Sequence, residues 1–366
     1  MPDEIGRAAV WLLIKLHGIG RSTIRAALRN VEEPSEIFRL GSQELLLAGF
    51  DERQARTVMR NRGALPGAAE ELDALSRRGI RLLLQDEPDY PARLKRIPDP
   101  PPYLFVRGAL PPDDVPSVAV IGSRNATTYG LRMAEFFSAE FARMGFSVVS
   151  GMAAGIDGAA QRAALSSGGK SYAVLGCGVN ICYPNENYDI FSLMENGSGG
   201  IISEYPPGSA PVKGHFPERN RIISGLSDCV AVIEARGLSS GSQITVGYAL
   251  EQGKDVFAVP GRVTDPLSRG CNGLIQNGAF LLNSPGEVAE ALGLKREGRL
   301  LPVKRRSPAL KGNERLVYET MGTDPCFAET LIMKTGLPAG EIMSILLNFE
   351  LDGLVKQLSG NYFVRS

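Results

Sequence analysis

The run Ser117-Val118-Ala119-Val120-Ile121-Gly122-Ser123-Arg124 decides how the chain is read. It is apolar without alternation and stops at a glycine, a hydroxyl and a guanidinium. Such a run, bounded by a turn signal, reads as a strand buried on both faces. A glycine turn into the next helix is how parallel α/β sheets build sites for anionic groups. Outward from this run the pattern recurs as far as Ser284. Strands are expected at 117–121, 147–150, 171–175, 200–203, 228–234, 255–259 and 279–282. Helices are expected at 128–144, 155–167, 242–252 and 285–292. Cys229-Val230-Ala231-Val232-Ile233 again lacks polar alternation, and Asp255-Val256-Phe257-Ala258-Val259-Pro260-Gly261 leads into a Gly/Asn-rich return. The class is α/β, with a parallel sheet covered on both faces.

The flanks differ. Residues 1–80 carry short helical patterns. Between them, Leu16-His17-Gly18-Ile19-Gly20-Arg21-Ser22-Thr23 reads equally as a helix-hairpin-helix turn lying on a DNA phosphate or as a plain αα-corner. Arg53, Arg56, Arg60 and Arg62 mark a solvated helix face rather than a phosphate site. Residues 81–116 read as a proline-rich extended connection with a short strand at Arg81–Gln85 and one edge strand at Tyr103–Arg107. Lys295, Arg296, Arg299, Lys304, Arg305, Arg306 and Lys311 make 294–312 a flexible basic linker. Residues 313–366 give three helical patterns and then two short strands, the order of a winged helix. Its third helix turns Ile342, Ile345, Leu346 and Phe349 inward and Glu341, Ser344, Asn348 and Glu350 outward. That acidic face suits a protein contact better than a DNA groove.

Composition narrows the classes. Among 366 residues, 40 basic side chains balance 40 acidic ones, so a polyanion site must come from local clustering. The five cysteines form no CxxC pair and there are only two histidines, which argues against a zinc site or a disulfide framework. The N-terminal stretch lacks a charged leader and a cleavage site, and no apolar run is long enough to span a membrane, so a cytoplasmic location is expected.

Several loops then stand out at strand ends. Gly122-Ser123-Arg124, Gly151-Met152-Ala153-Ala154-Gly155-Ile156-Asp157-Gly158 and Gly237-Leu238-Ser239-Ser240-Gly241-Ser242 should converge at one rim of the sheet. Lys213-Gly214-His215-Phe216-Pro217-Glu218-Arg219-Asn220-Arg221 packs cations, an amide and an aromatic ring into one short stretch. Arginine grips phosphate oxygens and a ring stacks on a base, so this reading is preferred over a surface helix with charge pairing through Glu218. No GxSxG, HExxH or GxxxxGK[ST] motif occurs. Asp157, Glu204 and Glu234 are candidate carboxylates, with Asp157 expected to cap a helix and Glu234 placed where it could meet a ribose. No acid–base pair can be assigned, which favours a binding protein over an enzyme.

These stretches, with Leu175-Gly176-Cys177-Gly178-Val179, Tyr183-Pro184, Ser203-Glu204-Tyr205-Pro206-Pro207-Gly208 and Ile222-Ile223-Ser224-Gly225-Leu226-Ser227, resemble the DprA/Smf family of bacterial DNA-processing proteins. The resemblance covers the central domain in one order. It implies an extended Rossmann-like core at 117–293, a sterile-alpha-motif-like helical domain before it and a winged helix after it. It also implies a dimer that binds single-stranded DNA, protects the incoming strand and loads the RecA recombinase, without cofactor, metal or established catalytic step. By motif the strand site falls on Arg124 and the Lys213–Arg221 region. The expected site is Gly122, Ser123, Arg124, Gly151, Gly155, Lys213, Phe216, Arg219, Asn220, Arg221, Ser240, Gly241 and Ser242. Arg124, Lys213, Arg219 and Arg221 would hold phosphates and Phe216 would stack. Gln161 stands where the family usually has histidine, and Asn185 where it often has a basic residue. The alternative is a nucleotide-cleaving enzyme similar to phosphoribohydrolases. Their catalytic glutamate position holds Gln243 or Ile244 here.

Overall fold

The computed structural model describes residues 4–237, 241–294, 310, 312–322, 324–351, 354–358 and 360–365. They fall into two units, Met1–Lys295 and Arg296–Ser366. The first opens with helices α1 (Glu4–Lys15), α2 (Arg21–Arg29), α3 (Ser42–Leu47), α4 (Glu52–Arg60) and α5 (Leu65–Arg77). Then come β1 (Ile80–Leu84), α6 (Ala92–Lys95), β2 (Tyr103–Gly108), β3 (Ser117–Ile121), α7 (Thr128–Arg143), β4 (Ser147–Ser150), α8 (Ile156–Ser166), β5 (Ser171–Leu175), α9 (Tyr188–Leu193) and β6 (Gly199–Ser203). The unit closes with α10 (His215–Gly225), β7 (Cys229–Val232), α11 (Gly241–Glu251), β8 (Asp255–Ala258), α12 (Arg269–Gln276), β9 (Phe280–Leu281) and α13 (Pro285–Ala291).

All nine strands form one sheet in the order β1-β2-β6-β5-β4-β3-β7-β8-β9. From β6 to β9 every neighbour is parallel, while β1 and β2 join antiparallel. Along β3, Val118 and Val120 enter the core on one face and Ala119 and Ile121 the core on the other. That double burial is why the strand reads as a continuous apolar run.

The edge position expected for Tyr103–Arg107 needs correction. Tyr103–Gly108 is not an edge strand, because it pairs with β1 on one side and β6 on the other. Its prolines flank it and none interrupts its N–H ladder, so both edges can pair. The short strand expected at Arg81–Gln85 is β1, which pairs with β2 along its length. Buried Arg93 fastens the proline-rich end of 81–116, donating to the carbonyls of Pro112, Asp113 and Val115 at 3.2, 3.0 and 2.7 Å.

The N-terminal helices share a core with the sheet. Leu13, Ile24, Leu45 and Val58 belong to the same buried cluster as Phe105, Leu175 and Ile201. Trp11 meets Phe105 edge-on at 5.7 Å. In the hairpin between α1 and α2, the Gly18 carbonyl accepts from Gln54 Nε2 at 2.8 Å. Arg21, at the start of α2, is bound to Glu204 and Glu218 of the sheet domain. This commits the hairpin's cation to carboxylates and fits the corner reading. Arg53, Arg56 and Arg60 lie exposed on α4.

The second unit has α14 (Gly312–Thr320), β10 (Cys326–Phe327), α15 (Ala328–Thr335), α16 (Ala339–Leu351), β11 (Val355–Leu358) and β12 (Tyr362–Arg365), with strand order β10-β12-β11. Ile342, Ile345, Leu346 and Phe349 of α16 are buried as expected. Its outer face is less acidic than the sequence suggests. Met343 and Leu347 are exposed there, Glu341 accepts from Asn313, and Glu350 accepts from the Gln357 amide. The basic stretch expected to be a flexible linker lies outside the described residues. No single helix among the described residues is long and apolar enough to cross a membrane.

Candidate nucleic-acid interface

The sheet order reverses between β3 and β7. From β3 the chain steps outward through β4, β5 and β6, then returns to β7 on the other side and steps outward again. Loops leaving the carboxyl ends of β3 and β7 therefore turn apart, and a crevice opens between them. A groove of ≈ 680 Å³ lies there. Its lining comes from the loops after β3, β4, β5 and β7, from Lys213 and the first turns of α10, and from the start of α11.

Of the expected site, Gly122, Ser123, Arg124, Lys213, Phe216, Arg219, Asn220, Gly241 and Ser242 line this groove. Arg124 and Lys213 are exposed. The Arg124 guanidinium lies 5.4 Å from the Phe216 ring centre, and that of Arg219 lies 5.9 Å away. Tyr183, a lining residue that the sequence reading left out of the site, sits 5.7 Å from the same ring. Asn220 Nδ2 donates to the Gly241 carbonyl at 3.4 Å and ties α10 to the start of α11. Arg236, Asn125 and Thr245 also line the groove and were missed. A signal for Arg236 was available: like Arg124, it is a cation just past the end of an apolar strand run. Ser240 lies outside the described residues.

Other expected residues do different work. Arg221 is 5 % exposed and points away from the groove. It is bonded to Glu204 Oε1 at 2.6 Å and Asp99 Oδ2 at 2.8 Å, so its charge is already matched and the phosphate role expected for it is withdrawn. Arg219 is 3 % exposed and donates to the carbonyls of Gly151 and Val174. Burial pulls its pKa down to about 10, with Asp157 pulling the other way. It braces the groove wall more than it offers a free cation.

Gly151 and Gly155 do not line the groove. A Cβ on Gly151 would lie 2.3 Å from Arg219 Nη2, so this glycine makes room for the guanidinium. Gly155 has φ +74, and a Cβ there would lie 2.4 Å from the Ser123 carbonyl oxygen. The Ile156 amide donates to that same oxygen at 3.1 Å. These glycines let two loops close on each other, where the sequence reading had the backbone closing on an anion.

The carboxylates are committed as well. Asp157 is buried and accepts from the Gly151 amide at 3.1 Å. Burial raises its pKa and Arg219 opposes the rise. Its partner is the preceding loop, whereas Gly155 stands at the helix cap position. Glu234 accepts from the Thr127 amide at 2.9 Å and from its hydroxyl. It holds the start of α7, which corrects its placement against a ribose. Gln161 is fully buried, with Nε2 on the Tyr172 carbonyl at 3.0 Å. Asn185 is exposed two residues past Tyr183. Among the described residues no His, Cys, Asp and Glu group is placed to hold a metal ion.

Residues 81–293 match the family described as DNA recombination-mediator protein A, and residues 302–361 match the DprA winged helix domain. The chain is 39% identical to Protein Smf of Escherichia coli over 77% of its own length and 76% of that protein's. It is 45% identical to DNA processing protein DprA of Streptococcus pneumoniae over 54% of its length and 70% of the relative's. The crystal structure of the Streptococcus pneumoniae protein superposes with TM-score 0.62 and 35% identity, covering 76% of this chain and 95% of that one. A structure of DNA processing protein A from Helicobacter pylori, described by its single-stranded DNA binding mode, superposes with TM-score 0.51 and 30% identity over 58% of this chain and 95% of that one. An α/β sheet with its groove at the strand-order reversal, a winged-helix unit and these matches agree, and the chain belongs to the DNA recombination-mediator protein A family.

Proposed function

We propose that this chain binds single-stranded DNA in the groove between β3 and β7. The observation that carries the reading is Phe216 held at the groove wall with Arg124 over its ring and Lys213 nearby in sequence. A ring beside exposed cations offers a stacking face to a base and charge to the flanking phosphates, without reading sequence. The Helicobacter pylori relative, described by its single-stranded DNA binding mode, supports single-stranded DNA as the ligand. The protein acts here as a strand carrier with no catalytic step, in the cytoplasm, protecting an incoming strand and passing it to RecA. It works as a homodimer, with Phe280 and Leu281 exposed on the outermost strand β9 as the candidate contact.

Fluorescence anisotropy with labelled oligo-dT tests the groove. Arg124→Ala should weaken binding by about tenfold or more, since a charge-assisted contact is worth roughly 1.5–3 kcal/mol. Unchanged affinity removes the groove from the reading. Release of free base from nucleoside monophosphates would replace it with the nucleotide-cleaving alternative. Sedimentation of the full chain as a monomer at all concentrations removes the dimer, and failure to speed RecA assembly on coated strands removes the loading role.

A further inference from the structure

We propose that Arg236 is a phosphate ligand on the far wall of the groove, so that a bound strand runs from Arg124 and Lys213 across the β3–β7 crevice to the start of α11. The inference rests on the single-strand reading above and says where the strand goes.

Arg124 and Arg236 occupy matching places on neighbouring strands. Ile121 pairs with Val232 in the parallel register of β3 and β7. Arg124 follows Ile121 by three residues, and Arg236 follows Val232 by four. Parallel neighbours lie about 4.8 Å apart. Their loops then separate, Arg124 leading toward α7 and Arg236 toward α11. Both arginines line the groove, and both are exposed.

The backbone beneath Arg236 is fixed. The Ala235 amide donates to the Leu267 carbonyl, and the Ala235 carbonyl accepts from the Gly270 amide, each at 2.8 Å. A Cβ on Gly270 would lie 2.6 Å from that of Ala235, so α12 packs directly under this turn. A cation is thus mounted on a held backbone at the groove rim, where a surface arginine on a loose loop would wander.

Arg236 makes no ion pair among the described residues. Among the described residues, the carboxylate lining the groove is that of Asp157, which is buried against Arg219. Arg124, Lys213 and Arg236 therefore face the same walled space, and among the described lining residues the acid, Asp157, is matched to Arg219. A walled site of one sign concentrates an opposite charge, and a polyanionic strand can satisfy cations on both walls.

The test uses the full chain, labelled oligo-dT and a salt series. Arg236→Gln should weaken binding about tenfold and reduce the slope of log K against log salt by about 0.7, the value for one phosphate on a single strand. Arg236→Lys should keep the slope, and Arg236→Glu should lower affinity further. A urea midpoint at the wild-type value, read from Trp11 fluorescence, shows that each variant is folded. Wild-type affinity and slope in folded Arg236→Gln overturn the proposal. If Arg124→Ala weakens binding while Arg236→Gln does not, only the strand path is lost. If Arg124→Ala has no effect, the groove itself fails.

Discussion

Replacing Glu204 with glutamine probes the contact that joins the N-terminal helices to the helix bearing the groove wall. Glu204 is a residue past β6, and its side chain is fully buried. It accepts from Arg221 on α10 at 2.6 Å and from Arg21 on α2. Arg21 also reaches Glu218, Arg221 also reaches Asp99, and Asp99 is bound by Arg25. Burial works against the Arg21 charge, but Glu204, Tyr205 and Glu218 more than offset it and its pKa is raised. Glu204→Gln keeps the shape and removes the central charge. As carboxylate partners Arg21 then keeps Glu218 and Arg221 keeps Asp99, both about half exposed. Removing one member of a buried pair costs about 3–5 kcal/mol, and the remaining amide oxygen puts the expected loss at about 3 kcal/mol. With a urea slope of about 3 kcal/mol/M, the midpoint should fall by about 1 M. The assay is specific, because Trp11 is the chain's single tryptophan and it packs on Phe105 within this unit. An unchanged midpoint at unchanged slope would refute the idea that the network stabilises the joint.

Three further outcomes follow from the same structure. Phe216→Ala should cost about 1–3 kcal/mol of single-strand affinity while leaving the salt slope intact, because it removes a stacking face and no charge; a changed slope would show that the ring acts by placing Arg124. Gly155→Ala forces a side chain into the left-handed region against the Ser123 carbonyl. It should lower stability by about 1–3 kcal/mol, and a wild-type melting temperature would disprove the close-approach role. Asp99 is pushed up by burial but held below its usual range by Arg221 and Arg25. Its pairing therefore contributes above the unfolded carboxyl pKa of about 3.9 and is lost as pH falls through the lowered folded value. The urea-midpoint gap between wild type and Arg25→Gln should shrink from pH 6 toward pH 3, and a constant gap would exclude this carboxylate as the cause.

Much of the sheet was legible because each parallel strand is a local signal. Ser117–Ile121, Ser147–Ser150 and Ser171–Leu175 lie where the apolar runs place them. Arg124 and Phe216 were legible too, as a cation at a strand end and a ring among cations. The segment Lys213–Arg221 was harder, since its arginines look alike in one dimension. Once it coils as α10, Phe216, Arg219 and Asn220 share a face at spacings of three and four. Arg221 comes five residues after Phe216 and turns toward Glu204. Two adjacent-looking cations thus receive opposite surroundings.

From the residues alone came the α/β class, the run of parallel strands and the glycine loops at their ends, because a strand's period and a turn's backbone needs are written within a few neighbouring residues. The folded chain alone decided where the strand order reverses, which loops share one groove and which charges stay free in it. Ion pairs such as Arg21–Glu204 and Arg221–Asp99 join residues more than a hundred positions apart, so their choice depends on distances in space that no local pattern records.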